Sequence, residues 1–357
     1  MSKKTLSNTG KNAPKQQSQK PKVLTFQQAR KLARNIHMAY YILAAQKLGI
    51  SYKVILPGLF VEFTKGNKSW KIHKSLTPIN NSVSMALASY KNTCNKYLSQ
   101  QGLPVPKQEA VTQVEQINAF VKKLSKLQSS GCKPQIVIKP NRGFGGSGVT
   151  ILPSTKREIE SGFHLAHQKS LSKSEPKVLV EEFVAGENYR LLVLGNKVIA
   201  AAHRLSASVT GDGKNPIQNL ITKKNKQLKK LARPTILVDA ETDQTLAKEQ
   251  MTLNSVPVKG QIVRLRINCN LCSGGSTREC LGEVHKKYLQ VAIDATTAIG
   301  LKLTGVDLIT PDITNPNVKF AINEVNHDPG LRIHYMPDEG KVSDVAVQIQ
   351  KFILTNL

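Results

Sequence analysis

A glycine-rich segment lies between two predicted strands of this chain. Residues 135–139 read as a strand, residues 145–148 follow as Gly-Gly-Ser-Gly, and a second strand runs to Leu152. Glycines let backbone N–H groups approach phosphate oxygens, because no side chain blocks the way. In Rossmann and P-loop folds such a segment opens a helix, whereas here it joins two strands. The pattern therefore predicts a glycine-rich hairpin; the alternative is a loop that is only flexible.

Strand patterns dominate residues 178–325, and predicted helices lie on both sides of them. The helices expected from apolar spacing cover residues 26–48, 83–101, 114–127, 284–299 and 343–354. A hydrophobic content of 40% is enough for a sizeable core, and 357 residues suit two domains or one domain with several subdomains. We therefore predict an α+β fold.

Apolar runs and cysteines limit where the protein works. No run approaches the roughly 18 uncharged apolar residues that a membrane span needs, so we expect no membrane partner. The lysine-rich start lacks the apolar region of a secretory signal. The five cysteines are an odd number in a long chain and read as reduced thiols. These features predict a cytoplasmic protein.

The formal net charge of +27 points to an anionic partner, which could be nucleic acid, a membrane surface or an anionic substrate. Two acid-free segments hold much of the charge: residues 1–22 carry six lysines, and residues 222–233 carry five lysines and one arginine. The first segment has few apolar groups, so we expect a disordered tail. Nucleic acid is disfavoured, because aromatic residues make up only 5% of the chain and no nucleic-acid motif is present.

Two apolar strands near residues 305–309 and 319–325 carry acids. Asp307 lies in the first strand, and Glu324 and Asn326 lie at the end of the second. Residues i and i+2 share a face of a strand, so Glu324 and Asn326 point the same way. Mg²⁺ prefers carboxylate and amide oxygens, and buried acids need a partner. The pattern favours a metal site over its alternative, a structural salt bridge.

Further polar groups follow the strands. The acid pair Glu181 and Glu182 ends a strand whose exposed backbone could pair with an adenine edge, or the pair is simply solvated. Arg204 and Arg266 follow or lie in strands, and guanidinium groups recognise carboxylate and phosphate in a bidentate manner. Cys269, Cys272 and Cys280 could suggest zinc, but a structural site normally needs four ligands.

The order of these features is more specific than any one of them. A lysine, a glycine-rich hairpin, a Glu-Glu-Phe-Val hinge at residues 181–184, an arginine and then Asp with Glu-x-Asn resembles the ATP-grasp superfamily of carboxylate–amine ligases. Within it, the chain is most similar to the ATP-grasp domains of cyanophycin synthetase and bifunctional glutathione synthetase. The resemblance covers about residues 23–355. It implies an ATP-grasp fold, in which two α+β subdomains clamp ATP, with a small N-terminal α/β lobe.

The resemblance also implies a role for each matching residue. ATP would be bound by Lys91, Lys139, Gly145, Gly146, Ser147, Gly148, Glu181, Glu182, Phe183, Val184 and Asn188. Mg²⁺ (or Mn²⁺) would be held by Asp307, Glu324 and Asn326. The catalytic residues would be Arg204 and Arg266. The substrates would contact Arg190, Gly274, Gly275, Ser276, Arg332 and His334.

The implied organisation has four parts. They are a basic disordered tail at 1–22, an N-terminal lobe at 23–82, a first subdomain with the glycine-rich loop and hinge at 83–185, and a second subdomain at 186–357. The second subdomain holds the metal and substrate site and a basic insert at 222–233.

The implied reaction is ATP-dependent amide or peptide bond formation through an acylphosphate. The substrates would be small-molecule or peptide carboxylates and amines, and the relatives suggest a homo-oligomer. Asn188 stands where the relatives usually carry an acid, and Tyr90 stands where an Asp is usual. Because of these departures, an inactive ATP-grasp homologue is one alternative, and a protein that binds nucleic acid or another polyanion is the other.

Overall fold

The structure is a computed structural model that describes residues 23–127, 134–143, 145–231, 233–269 and 271–357, apart from the side chain of Cys272. The predicted tail at 1–22 lies outside the described residues. The helices are α1 (Phe26–Ala33), α2 (Ile36–Leu48), α3 (Ser82–Ser89), α4 (Lys91–Gln100), α5 (Glu115–Leu127), α6 (Lys156–Lys169), α7 (Ile217–Lys230), α8 (Ala240–Lys248), α9 (Lys286–Ile299), α10 (Arg332–Tyr335) and α11 (Val345–Asn356). Short 3₁₀ turns cover Leu271–Ser273 and Leu281–Glu283.

The strands of the described residues form four sheets. They are β1 (Ser51–Leu56), β2 (Phe60–Lys65), β3 (Lys68–His73), β4 (Gln108–Val111), β5 (Ile136–Pro140), β6 (Thr150–Ile151), β7 (Val178–Glu182), β8 (Glu187–Leu194), β9 (Lys197–Leu205), β10 (Ser208–Thr210), β11 (Ile262–Arg264), β12 (Ser276–Glu279), β13 (Leu303–Thr310) and β14 (Ala321–Asn326). The two larger sheets have the orders β12-β9-β8-β13-β14 and β4-β7-β5-β6. Antiparallel sheets with packed helices confirm the α+β prediction.

The glycine-rich hairpin is present in the four-stranded sheet. β5 pairs antiparallel with β6, with Val137 opposite Ile151 and Ile138 opposite Thr150. Helices α5 and α6 cover this sheet through a core that includes Phe120 and Phe163. The segment at residues 145–148 therefore joins two strands rather than opening a helix, as the sequence predicts.

Helices cover both faces of the five-stranded sheet. On one face α9 packs with α3 and α4, and the shared core includes Ala88, Leu98 and Tyr288. On the other face α11 packs with α2 and the rest of the N-terminal lobe, and Tyr41 and Ile349 belong to that core. Residues 83–100 thus share a core with the second subdomain, although the sequence division groups them with the first. The apolar side chains of α3 and α4 explain this, because they face α9 and β14.

Two stretches predicted as single helices, at 26–48 and 83–101, are each two helices. In the first, Arg34 adopts a φ of +53°, and the Asn35 side chain caps the next helix by accepting from the N–H groups of His37 and Met38. In the second, Tyr90 is extended. The Lys91 N–H then donates to the Asn141 carbonyl at 3.4 Å, just after β5. The break therefore brings the start of α4 to the end of the glycine-rich hairpin.

No helix of the described residues is long and apolar enough to cross a membrane. Cys94, Cys269 and Cys280 are free thiols in the structure, as the sequence predicts for them. Cys132 lies outside the described residues.

Candidate active site

Three predicted site residues form one row across the five-stranded sheet. Asp307 on β13 pairs directly with Arg190 on β8 and with Glu324 on β14. Directly paired residues project to the same face of a sheet. The Arg190 guanidinium contacts Asp307 in a bidentate manner, with Nε 2.5 Å from Oδ1 and Nη2 2.6 Å from Oδ2. Asp307 itself is only 6% exposed.

A second guanidinium reaches the same carboxylate. Arg204 on β9 places Nη1 3.0 Å from Oδ2 of Asp307. Burial lowers the pKa of Arg204, and Asp307 opposes that effect. Two guanidinium groups thus meet at one buried carboxylate. Such a place favours an anionic ligand.

Glu324 is the other acid of the row, and Lys91 forms an ion pair with it. Burial by itself would raise the pKa of Glu324, but Lys91, assisted by Lys139 and Arg190, lowers it to about 2. Asn326 uses its amide nitrogen, which donates to the Gly305 carbonyl at 3.3 Å. A metal ion would use the amide oxygen instead.

Lys139 and Glu181 form a buried pair in the four-stranded sheet. Lys139 is 8% exposed and Glu181 is 4% exposed. The Lys139 ammonium lies 2.7 Å from both carboxylate oxygens of Glu181. A charged group is costly to bury without a partner, so the Lys139 ammonium compensates the buried charge of Glu181. The Glu181 side chain is thus engaged with Lys139.

The hinge after this pair is held through its backbone. The Glu182 N–H donates to the Lys107 carbonyl at 2.8 Å, and the Phe183 N–H donates to the Gln135 carbonyl at 2.9 Å. Val184 is buried. Beyond the hinge, the Asn188 amide contacts the Cys269 sulfur at 3.5 Å.

The glycine-rich loop uses glycine for two reasons. Gly145, Gly146 and Gly148 have φ values of +70°, +73° and +76°, which side chains rarely adopt. A Cβ on Gly148 would also lie 2.8 Å from the Lys169 Cβ. Ser147 lies between them, and the loop lines a cavity of about 680 Å³.

Arg266 lines the same cavity as residues 146–148. It is 6% exposed, its Nη1 lies 2.8 Å from Oδ1 of Asp239, and its Nη2 contacts Glu241. The acid partners of Arg266 thus lie at the start of α8, whereas Arg204, the other predicted catalytic residue, contacts Asp307. Asp239 and Glu241 were missed as site residues. The only signal for them is Asp239 as the N-cap of α8.

Five of the predicted substrate residues lie in two short segments, the loop that leads into β12 and helix α10. Gly274 has a φ of +90°, Gly275 follows it, and Ser276 begins β12 opposite Leu205. Arg332 and His334 lie on α10. His334 is 1% exposed, and neither ring nitrogen has a hydrogen-bond partner among the described residues.

The environment of α10 adds one residue that the sequence missed. Burial, together with the nearby charge of Arg190, lowers the pKa of His334 to about 3, so this imidazole is neutral. Next to it, the Leu331 N–H donates to Nδ1 of His37 at 3.2 Å. His37 comes from α2 in the N-terminal lobe, and no motif marks it.

The donor set suits a hard cation only in part. Asp307 and Glu324 offer two neighbouring carboxylates, and Asn326 offers an amide two residues on. Among the described residues no group of three or more His, Cys, Asp or Glu side chains could hold a metal ion. Bound phosphate oxygens would have to complete a Mg²⁺ site. The side chain of Cys272, part of the zinc alternative, lies outside the described part of the chain.

Comparisons with known proteins agree with this geometry. Residues 88–230 match the RimK-like ATP-grasp domain. The chain is 32% identical over 316 residues to cyanophycin synthetase of Crocosphaera subtropica, covering 87% of this chain and 35% of that protein. It is 31% identical over 291 residues to the bifunctional glutathione biosynthesis protein of Enterococcus faecalis, covering 78% and 37%. The chain thus spans about a third of the length of these relatives.

A solved structure has the same fold. The bifunctional glutathione synthetase of Pasteurella multocida aligns with a TM-score of 0.65 at 24% identity, over 90% of this chain and 44% of that one. The domain match and the shared fold agree with the row of acids and cations in the site. The chain therefore has an ATP-grasp fold and carries a RimK-like ATP-grasp domain over residues 88–230.

Proposed function

We propose that this protein is an ATP-dependent ligase that joins a carboxylate to an amine and releases ADP and phosphate. One observation carries the proposal: Asp307 and Glu324 lie side by side on paired strands, surrounded by Arg190, Arg204 and Lys91. Phosphoryl transfer needs positioning and charge neutralisation more than a protein nucleophile. The similarity to cyanophycin synthetase and glutathione biosynthesis proteins supports the same reaction class.

The cations near the hairpin would bind the nucleotide. Lys91 and Lys139 each neutralise one glutamate in the structure, and both stand beside the glycine-rich hairpin or the strand that leads to it. The N–H groups of residues 145–148 would approach the phosphates, because the glycines leave the backbone uncovered. The hinge at residues 182–184 would bind the base.

Mg²⁺ (or Mn²⁺) would be held by Asp307, Glu324 and Asn326. When bound, the ion would neutralise the phosphate oxygens and so lower the cost of bringing a carboxylate near them. To bind the ion, Glu324 would release Lys91 and Asp307 would release Arg204. Both cations could then contact the phosphates.

The reaction would proceed in two balanced steps. A carboxylate oxygen of the first substrate attacks the γ-phosphorus, the bond to the β-phosphate oxygen breaks, and ADP leaves. The amine of the second substrate attacks the acyl carbon, the bond from that carbon to the phosphate oxygen breaks, and the leaving phosphate takes up the proton that the amine loses as the amide forms. Arg204 would stabilise the charge that develops at both steps. Arg266, which lines the same cavity as residues 146–148, would act on the substrate side.

A screen for ADP release tests the proposal. Pairs of amino acids and short acidic peptides are offered with ATP and Mg²⁺, and product masses are measured. We expect ADP only when a suitable acid and amine are both present. Asp307→Asn and Glu324→Gln should abolish turnover, whereas Glu115→Gln, an exposed acid on α5, should not.

Other outcomes of the screen would point to the alternatives. ATP binding without ADP in any pair would favour an inactive homologue. Full turnover in Asp307→Asn would refute the assigned site. A homo-oligomer, cytoplasmic location and small or peptide substrates stay predictions, and size-exclusion chromatography with light scattering tests the first.

A further inference from the structure

The exposed side of α7 is strongly basic. We call the side chains of Lys223, Lys226, Lys229 and Lys230 the basic face; all four residues are exposed, and none forms an ion pair with another described residue. Residues three and four apart on a helix are neighbours, so these lysines repel one another. An anion bound to this face would relieve the repulsion.

The opposite side of α7 fixes the helix in place. Ile217, Leu220 and Ile221 are buried in a small core that also contains Leu246 and Val263. Lys224, within the same lysine run, instead donates to the Ser208 carbonyl at 2.8 Å. The helix is therefore anchored by its apolar side, and the basic face is held outward.

Helix α7 is attached to the loop at residues 274–276. The Asn225 side chain makes two hydrogen bonds to the backbone of Ile236, one donated to its carbonyl at 3.0 Å and one accepted from its N–H at 2.7 Å. Ile236 packs so closely on Gly274 that a Cβ there would lie 2.6 Å from the Ile236 Cα. Asn225 and Ile236 thus tie the basic helix to a predicted substrate segment.

A second attachment follows the end of α7. Arg233 forms an ion pair with Asp338 and donates to the Met336 carbonyl. Asp338 in turn accepts from the Thr277 N–H at 2.8 Å. The segment after the basic helix is therefore joined both to the start of β12 and to the chain just beyond α10. Both neighbours belong to the predicted substrate side of the site.

We propose that the basic face binds an acidic peptide segment of the carboxylate substrate, outside the nucleotide site. This inference rests on the proposed function and adds where the substrate chain lies. Lys223 to Lys230 span about 10 Å along the helix at 1.5 Å per residue. An extended peptide places side chains on one side about every 7 Å, so two neighbouring carboxylates fit within that length. The attachments of Asn225 and Arg233 place such a peptide on an element that is joined to residues 274–277.

Nucleic acid fits the face less well than an acidic peptide. Binding of single strands relies on aromatic side chains on which bases stack. The sequence of α7, IQNLITKKNKQLKK, contains no Phe, Tyr or Trp. Charge alone would attract either polymer, so the experiment includes both.

The test measures binding by fluorescence anisotropy with the full chain and no ATP. The probe is a fluorescein-labelled hexaglutamate peptide. The variant carries Lys223→Gln, Lys226→Gln and Lys230→Gln, and its control carries Lys122→Gln, Lys123→Gln and Lys126→Gln on the exposed side of α5. Both variants lose the same charge, so a general effect of net charge would move them equally. Because three exposed ion pairs with the peptide would be lost, we expect about tenfold weaker binding in the α7 variant only.

Three results would overturn the inference. The first is an equal loss of hexaglutamate binding in the α5 control, and the second is unchanged hexaglutamate binding in the α7 variant. The third is that a single-stranded oligonucleotide of matched charge binds more tightly than hexaglutamate and that the α7 lysines alone account for its binding. A kinetic measurement complements the binding: the α7 variant should raise the KM for an acidic peptide and leave the KM for ATP unchanged. Hexaglutamate binding through α7 without ADP release from any acid would refute the proposed function alone. ADP release from small acids with unchanged peptide binding would refute only the docking surface.

Discussion

Replacing Gly274 with alanine tests how tightly the loop at residues 274–276 is packed. Gly274 has a φ of +90°, and an added Cβ would lie 2.6 Å from both Cα and Cγ1 of Ile236. The Cα is backbone, so it cannot rotate away as a flexible side-chain end could. Gly260 is a matched control, because its φ is +86° and an added Cβ would meet nothing within 4 Å.

The two variants separate backbone strain from packing. A positive φ costs alanine about 1–2 kcal/mol at either position. Overpacking adds about 1–3 kcal/mol, and it applies only at Gly274. We therefore expect the free energy of unfolding to fall by about 2–5 kcal/mol in Gly274→Ala and by about 1–2 kcal/mol in Gly260→Ala.

Urea unfolding followed by circular dichroism measures both losses, provided that the m-value stays the same. The ADP-release assay should also show a raised KM for the acid substrate in Gly274→Ala, because the loop must move away from Ile236. Equal losses of stability in the two variants would refute the packing argument. The attachment of α7 to this loop would then lose its support.

Three further changes test other contacts of the site. In His37→Asn the amide oxygen keeps an acceptor for the Leu331 N–H near the position of Nδ1, whereas in His37→Gln the oxygen lies farther out. We therefore expect a higher KM for the acid substrate in the glutamine variant only. Equal KM values in the two variants would show that His37 does not position this segment. Glu324 has a lowered pKa of about 2, so its stabilising ionised form contributes fully above about pH 4.5 and is lost as the pH falls toward 2. The unfolding free energies of wild type and Glu324→Gln should therefore differ more at pH 7 than at pH 3, and a constant difference would contradict this. Lys139→Met leaves Glu181 buried without its cation and should cost about 3–5 kcal/mol, of which Lys139→Met/Glu181→Leu should recover a large part in denaturant unfolding.

The sequence predicts best where one strand pattern decides the geometry. The apolar strands around Asp307 and Glu324 pair as neighbours, so the two acids meet on one face as expected. The glycine-rich hairpin is correct for the same reason, because the strands on both sides of it are explicit in the sequence. Neither result needs knowledge of contacts between distant segments.

Tertiary contacts explain what the sequence could not predict. Arg34 and Tyr90 interrupt otherwise continuous helical patterns, since the caps and the following contacts outweigh local propensity there. The partners of Arg266 come from α8, and His37 comes from the N-terminal lobe. No spacing in the chain connects these residues, so motif reasoning identifies the arginine but not its surroundings.

The core shared by the N-terminal lobe and α11 has a consequence for biosynthesis. Trp70 donates through Nε1 to the Gln350 side chain at 3.0 Å, across 280 positions of the chain. The apolar side of α2 therefore stays uncovered until the residues of α11 have been made. At about 5–20 residues per second, that interval lasts on the order of tens of seconds. The rate of translation, rather than the rate of folding, therefore determines how long this surface stays exposed to chaperones or to aggregation.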